Sequence, residues 1–449
     1  MFSKTKKAAG ILLAATMIAT AFAGCGGNTE KTSSTGGEKP TDAATAPAVK
    51  GVTVEDMMAN YENYLGDEGT SSEVKLTVWA PSEAIKTFQK QCNDFIAACS
   101  NRKISIEVKA QSESDSAATL MNDPDTAADL FGFASDNASK LYPRGYVAEV
   151  NPAFAAAIKE TNMPGAVDVA TNDDGKLVSF PETGDNGYFI YYNKSKISEE
   201  QIKSLEGIME ACNEADAKFI MSIGNGYYGS VIPLTAGGTY ELDADGNQVL
   251  NYNKDEVVKV AKAFGDLLAN DPHFSSDDTD KVLSSQLRSG KAIAGVSGTW
   301  KKAAIKAALG DNFACAKLPT IKVDGEDRDI ISMYGYKLIG VNSNSKYPLT
   351  AQALAYYLTG EKAQTERATE LGWGPSIQKL VDSDLVTGDV CLTAVYAQQK
   401  HSVPQIGLAG SFWDPTGSFG GYVVDKSSDL SVEGISKAYD AMYTSATAH

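Results

Sequence analysis

Histidine is nearly absent, with three in 449 residues. That supply is too small for a histidine-based metal centre or an imidazole general base. Cations are the minority charge: 40 Lys and Arg face 57 Asp and Glu, a formal net charge of -17. Phosphate backbones are gripped by clustered Lys and Arg, so nucleic acid is excluded as a partner. The six cysteines include no Cys-x-x-Cys spacing, which leaves zinc and dithiol redox sites without a basis. No period of roughly 20–50 residues repeats, which argues against solenoids and propellers. What remains is an ordinary globular composition, 43% hydrophobic and 22% charged. The chain is long enough for about two or three domains with real cores.

The first residues read as a delivery signal. Lys4, Lys6 and Lys7 precede an uncharged stretch over 8–23, shorter than the roughly 20 apolar residues a spanning helix needs. This is the pattern of a secretory signal peptide. Its end, Phe22-Ala23-Gly24-Cys25, resembles a bacterial lipobox, with Phe22 where Leu is usual. The resemblance implies removal of residues 1–24, diacylglycerol on Cys25, and a membrane anchor through it. Plain secretion, with Cys25 a stray thiol, is the alternative. Residues 25–72 are expected to be a flexible tether and an acidic lead-in, because few large apolar side chains are there to offset ordering entropy. The acidic part over 51–73 permits a short helix at most.

Beyond it, strand-like and helix-like patterns alternate. Short β-branched runs at 75–79, 103–108, 129–133, 188–192, 219–223, 292–296 and 336–341 read as strands. Helical periodicity falls at 254–270, 301–309, 347–358 and 361–371. The fold class expected is α/β, with helices on both faces of largely parallel sheets. Cys92 and Cys99 share one helical face with Phe88 and Phe95, two turns apart and too far to bridge. They read as inert buried thiols. Asp243-Ala-Asp245-Gly246-Asn247 superficially matches a calcium loop but lacks the closing Glu. Lying between two strand-like runs, it reads as a hairpin turn.

Several short segments then occur in a telling order. Leu76-Thr-Val-Trp79 opens the series, followed by Ala128-Asp-Leu-Phe131 and Gly145-Tyr-Val-Ala-Glu-Val150. Phe180-Pro-Glu182 precedes Ile190-Tyr-Tyr-Asn-Lys194, and Ser289-Gly-Lys-Ala-Ile-Ala-Gly295 runs into Gly298-Thr-Trp300 and Leu318-Pro319. Gly372-Trp-Gly-Pro-Ser376 and Ser411-Phe-Trp413 close it. The colinear set resembles the extracellular solute-binding proteins of ABC transporters, in the maltose/maltodextrin branch. The resemblance implies a two-lobed periplasmic-binding-protein-like fold of type II, with a ligand cleft between the lobes. It implies three crossings, near Gly184–Gly187, Tyr336–Val341 and Gly372–Pro375. The N-terminal lobe would be 73–186 plus 340–372, and the C-terminal lobe 187–339 plus 373–449.

Binding rather than catalysis is the chemistry expected. All four tryptophans, Trp79, Trp300, Trp373 and Trp413, stand within two residues of Gly, Ala, Pro or Ser rather than in apolar stripes, so their rings are available to a cleft. The resemblance makes Trp300 and Trp413 platforms for sugar rings, puts Phe133 at a position where Trp is common, and gives Tyr227 and Tyr228 as an aromatic pair. It places a hydroxyl-binding carboxylate at Asp136, with Asn137 in the place of a basic partner. Glu83 lies near an acid position of the first helix, and Asn186 replaces an acid beside Asp185. No catalytic residue, cofactor or metal is expected. The partners implied are an oligosaccharide, foremost a malto-oligosaccharide, and the transmembrane subunits of an ABC permease. A monomer on the outer face of the cytoplasmic membrane, on a Gram-positive surface, is the setting expected. The rival readings are a secreted glycoside hydrolase, which would need a carboxylate pair that no local motif marks, and a surface polysaccharide adhesin without a permease.

Overall fold

In the computed structural model, residues 49–448 are described. The leader, the lipobox with Cys25 and the tether as far as residue 48 lie outside them.

Alternating burial builds the first strands. β1 (Val74–Ala80) buries Val74, Leu76, Val78 and Ala80 and leaves the residues between them less covered. It pairs in parallel along its whole length with β2 (Ile104–Ala110) and more briefly with β3 (Leu130–Ala134). The helix Ile85–Ala98 connects β1 to β2 and turns Phe88, Cys92 and Phe95 inward, as the helical period requires. Cys99 at its end is wholly buried.

Two long strands then tie the molecule together. β4 (Phe180–Asn193) is buried over almost all its length, the mark of a strand covered on both faces. Between it and its partner come β5 (Lys218–Ile220), the hairpin β6 (Thr239–Leu242) and β7 (Gln248–Asn251), and the short β8 (Phe274–Ser275). β9 (Ala292–Gly298), β10 (Phe313–Ala316) and a second hairpin, β11 (Thr320–Val323) with β12 (Glu326–Asp329), follow. β13 (Ser332–Val341) is the other wholly buried strand, and β14 (Ser402–Pro404) pairs with its start. The large sheet runs β2-β1-β3-β13-β4-β9-β5-β8, with β10 on β4 and β14 on β13. β4 pairs antiparallel with β13 over Phe180–Gly187 and with β9 over Tyr188–Tyr192, so one strand serves both halves of the sheet.

The result is a two-lobed α/β fold. One apolar core gathers Val78, Phe95, Leu130 and Leu354; the other gathers Phe219, Val260, Phe264 and Phe419. Side chains of β4 alternate between faces. Tyr188, Ile190 and Tyr192 enter the second core, whereas Phe189 and Tyr191 belong to the layer continuous with the first. On β13 the passage between cores falls between Met333 and Tyr334, a few residues ahead of the stretch 336–341.

Residues 51–72, expected to hold a short helix at most, carry two. They form helices Val54–Ala59 and Glu62–Leu65, with Met57 and Leu65 wholly buried. The Glu68 carboxylate accepts from the backbone N–H groups of Leu349 and Thr350, a charged cap on the helix Pro348–Leu358. Two apolar anchors and one cap suffice to dock a segment whose composition alone looks solvated. In the β6–β7 turn, Asp243 accepts from the N–H groups of Asp245 and Asn247, each at 2.9 Å, closing the hairpin from within. Among the described residues no helix is long and apolar enough to cross a membrane.

Candidate ligand-binding site

Three backbone stretches meet where the lobes join. Gly184 on β4 donates its N–H to the Gly374 carbonyl at 2.9 Å, and its own carbonyl accepts from the Tyr334 hydroxyl on β13. A methyl group on Gly184 would lie 2.7 Å from the Pro375 carbonyl oxygen, so only glycine permits this approach. Asp185 fastens two further pieces: one carboxylate oxygen accepts from the Thr299 hydroxyl and from the Gly374 N–H, both at 2.7 Å. Tyr396 adds a hydroxyl to the Pro375 carbonyl at 2.7 Å.

Beneath this junction lies a buried ionic hub. Lys337 of β13 pairs with Glu113 at 2.6 Å, and its ammonium stands 4.9 Å from the centre of the Trp373 ring. Gly132 on β3 leaves space for two acids; a methyl group there would sit 3.6 Å from Glu182 Oε2 and 3.8 Å from Glu113 Oε1. Both of these oxygens are buried without a hydrogen-bond partner. Arg367, wholly buried, donates to Gln91 at 2.8 Å and lends its charge to Glu182. Three carboxylates, Glu113, Glu182 and Asp185, therefore face two cations. Burial pushes Glu182 up to about 7, against the pull of Arg367 and with a further push from Glu113. Burial raises Glu113 too, with Lys337 opposing. For Lys337, burial works against the charge, but the surrounding carboxylates outweigh it and hold the amine protonated.

A second cluster has a single cation at its edge, Lys140, which donates to Asn137. The short turn Ser135–Asn137 follows β3 and is held by the Ser135 hydroxyl on the Gln405 carbonyl at 3.1 Å. It carries Asp136, one of whose oxygens is buried without a partner. Burial pushes this carboxyl up to about 6, with Lys140 pulling the other way. From the second lobe comes the turn Gly226–Gly229, capped by Asn225, which accepts from the Tyr227 N–H at 2.9 Å. The hydroxyls of Tyr227 and Tyr228 are both buried and unpartnered. Tyr188 packs against both rings, with centroids 4.8 and 5.0 Å away. Burial raises the Tyr227 phenol, and the nearby Asp136 charge adds to the rise. Gly226 lies flat against the backbone of Trp413.

The other expected residues divide. Trp300 is half-buried, folded over Gly298, and donates its indole N–H to Asp280 at 3.0 Å. Trp413 is half-buried at the start of the helix Trp413–Val424, edge-on to Phe412. Phe133 is a correction: it is fully covered by Phe131 and Tyr142 in the first core and offers no face to a ligand. The resemblance put an aromatic platform at this position, but the neighbouring aromatics close over the ring. Trp373 is 3% exposed, between Phe88 and Lys337, and supports the junction. Trp79 packs half-buried against the first core. Asn137 turns inward and accepts from Lys140 at 3.2 Å, and Asn186 donates to Gln405 at 3.0 Å. Glu83 is exposed and close enough for its charge to reach Glu113.

Sequence reasoning missed Glu113, Glu182, Lys337, Arg367 and Tyr188. One signal was present: Lys337 interrupts an otherwise apolar β-branched run, and a lysine there demands a buried partner. Nothing local marked Glu113 as that partner.

Comparison with known proteins agrees with this geometry. The family model for bacterial extracellular solute-binding proteins matches residues 83–394. No curated protein matches. A solved structure determined with acarbose superposes with a TM-score of 0.77 at 25% identity, covering 84% of this chain and 99% of its own. The maltodextrin-binding protein MalE1 from L. casei BL23, solved without ligand, has a TM-score of 0.72 at 22% identity, over 84% and 100% of the two chains. MalX from Streptococcus pneumoniae, in complex with maltopentaose, has a TM-score of 0.66 at 18% identity, over 82% and 99%.

Proposed function

This chain belongs to the bacterial extracellular solute-binding proteins, and we propose that its ligand is an oligosaccharide, foremost a malto-oligosaccharide. The observation that carries the reading is the set of unpartnered buried oxygens in the second cluster: Asp136 Oδ1 and the Tyr227 and Tyr228 hydroxyls. A buried polar group left unmade costs about 1–3 kcal/mol, and such groups are rare unless something fills them. Sugar hydroxyls donate to carboxylates and exchange hydrogen bonds with phenols, while the C–H faces of the ring lie on aromatics. Trp300 and Trp413 are the rings proposed for that stacking. The kinship with structures solved with acarbose, maltopentaose and maltotetraose supports the same class.

Catalysis is not needed to explain these groups. In the proposed cycle the lobes close on the sugar, a population shift driven by contacts made only when both touch it. The loaded protein then docks on an ABC permease. Titration calorimetry with a series of linear malto-oligosaccharides tests the core of the reading, and saturable binding with the sugar recovered intact is expected. Shortened products would establish the glycoside hydrolase instead, and no heat with any member would remove the ligand class. Anchoring through Cys25 is tested separately. Cys25→Ser should release the folded body from the membrane fraction, and full retention there would disprove the lipid anchor.

A further inference from the structure

Five cysteines fall among the described residues, and two of them meet. Cys92 and Cys212 are buried on helices and Cys99 is buried at the end of one. Cys315 on β10 and Cys391, the second residue of the helix Val390–Gln399, bring their sulfurs to 3.0 Å although 76 positions separate them in the chain. Two thiols this close lie about 1 Å from bonding distance, which a small side-chain movement covers.

Their setting gives the contact a mechanical meaning. β10 is paired to β4, with Cys315 opposite Tyr191. The Asp389 carboxylate caps the helix by accepting from the Cys391 and Leu392 N–H groups, and it also pairs with Lys302, two residues beyond Trp300. Further along, Tyr396 reaches the Pro375 carbonyl at the junction, and Gln398 accepts from the Leu318 N–H at 2.8 Å. One helix therefore touches the lobe junction, the Trp300 segment and the strand that carries Cys315.

We propose that Cys315 and Cys391 are joined by a disulfide in the exported protein, pinning this helix to β10 and so steadying the third chain passage at Pro375. An extracellular family works where disulfides persist. The bond forms by exchange with the disulfide of a thiol–disulfide oxidoreductase. One cysteine thiolate attacks that disulfide to give a mixed disulfide, and the second thiolate displaces it. The two thiol protons and the two electrons end on the oxidoreductase, which leaves as its dithiol. Burial raises the Cys315 thiol far above its ordinary range, and the adjoining Cys391 adds to the rise. At Cys315 the folded chain thus offers almost no thiolate, so attack from this sulfur belongs to folding, before the helix docks. Once made, the bond closes a long loop containing β13, whose constraint acts on the unfolded chain.

The test uses the full chain exported through an oxidising compartment, unfolded with an alkylating agent and no reductant, then digested and mapped. A single cross-linked peptide pair carrying Cys315 and Cys391 is expected, with Cys92, Cys99 and Cys212 alkylated. Alkylation at all five positions, or a link to any other cysteine, would overturn the proposal. A second measurement addresses the mechanical part. Wild-type protein refolded with reductant should melt several degrees before the oxidised form, whereas the double variant Cys315→Ser, Cys391→Ser should melt the same either way. Identical melting of oxidised and reduced wild type would overturn the pinning role.

Discussion

The two buried polar clusters at the lobe junction differ in one respect. The hub of Glu113, Glu182, Asp185, Lys337 and Arg367 contains cations for most of its acids, whereas the cluster of Asp136, Tyr227 and Tyr228 has only Lys140 nearby, which donates to Asn137 rather than to Asp136. Buried charge is tolerated when paired and hydrogen-bonded. The hub therefore holds the chain passages in register, and the second cluster remains in need of a partner from outside. Burial alone does not distinguish structural from binding groups here; the supply of compensating charge does.

Breaking the hub should give the largest effect. Lys337→Met leaves Glu113 without its cation in a buried setting and is expected to cost about 3–5 kcal/mol of stability, read by urea denaturation. A loss under about 1 kcal/mol would mean that the pair is screened and that the contrast with the second cluster is unfounded.

The second cluster should respond in the opposite sense. The Asp136 carboxyl rises from its ordinary 3.8 to about 6 in the fold. A raised acid means that the native state binds the proton more tightly than the unfolded chain, so stability falls as pH climbs from about 4 to 6. Asp136→Asn removes that cost and should stabilise the unliganded protein at pH 7 by about 2 kcal/mol, allowing for the partial exposure of the residue. The same variant should bind sugar more weakly. Greater stability with weaker binding is the signature of a ligand group, and loss of both would return Asp136 to the structural class.

The smallest change in stability belongs to the half-buried tryptophans. Trp300→Ala and Trp413→Ala should each weaken oligosaccharide binding about 5- to 150-fold, if stacking contributes about 1–3 kcal/mol as it does for bases on aromatic rings. Melting should change little. Early melting with normal affinity in the folded fraction would make both rings core residues, like Phe133, and move the site elsewhere.

Much of this was legible from local pattern. The alternation in 75–79 and 103–108 became β1 and β2, and the pattern at 254–270 became the helix Lys254–Leu268 with Asn253 capping it. Asp243 to Asn247 became the expected turn. Asp136, Tyr227 and Tyr228 were named through the family resemblance, and each carries a buried oxygen without a hydrogen-bond partner. Phe133 failed because exposure depends on Phe131 and Tyr142 closing over it, and ring identity says nothing of that.

By itself, the sequence determined which segments become strands and helices, because side-chain period and capping act over a few residues. It also carried the acidic balance and the colinear motifs that mark the family. Only the tertiary structure decided that Lys337 meets Glu113, that Glu182 approaches the same glycine, and that Cys315 touches Cys391. Those partners come from strands and helices far apart in the chain, and the buried medium that gives each contact its strength exists only after the two lobes have packed.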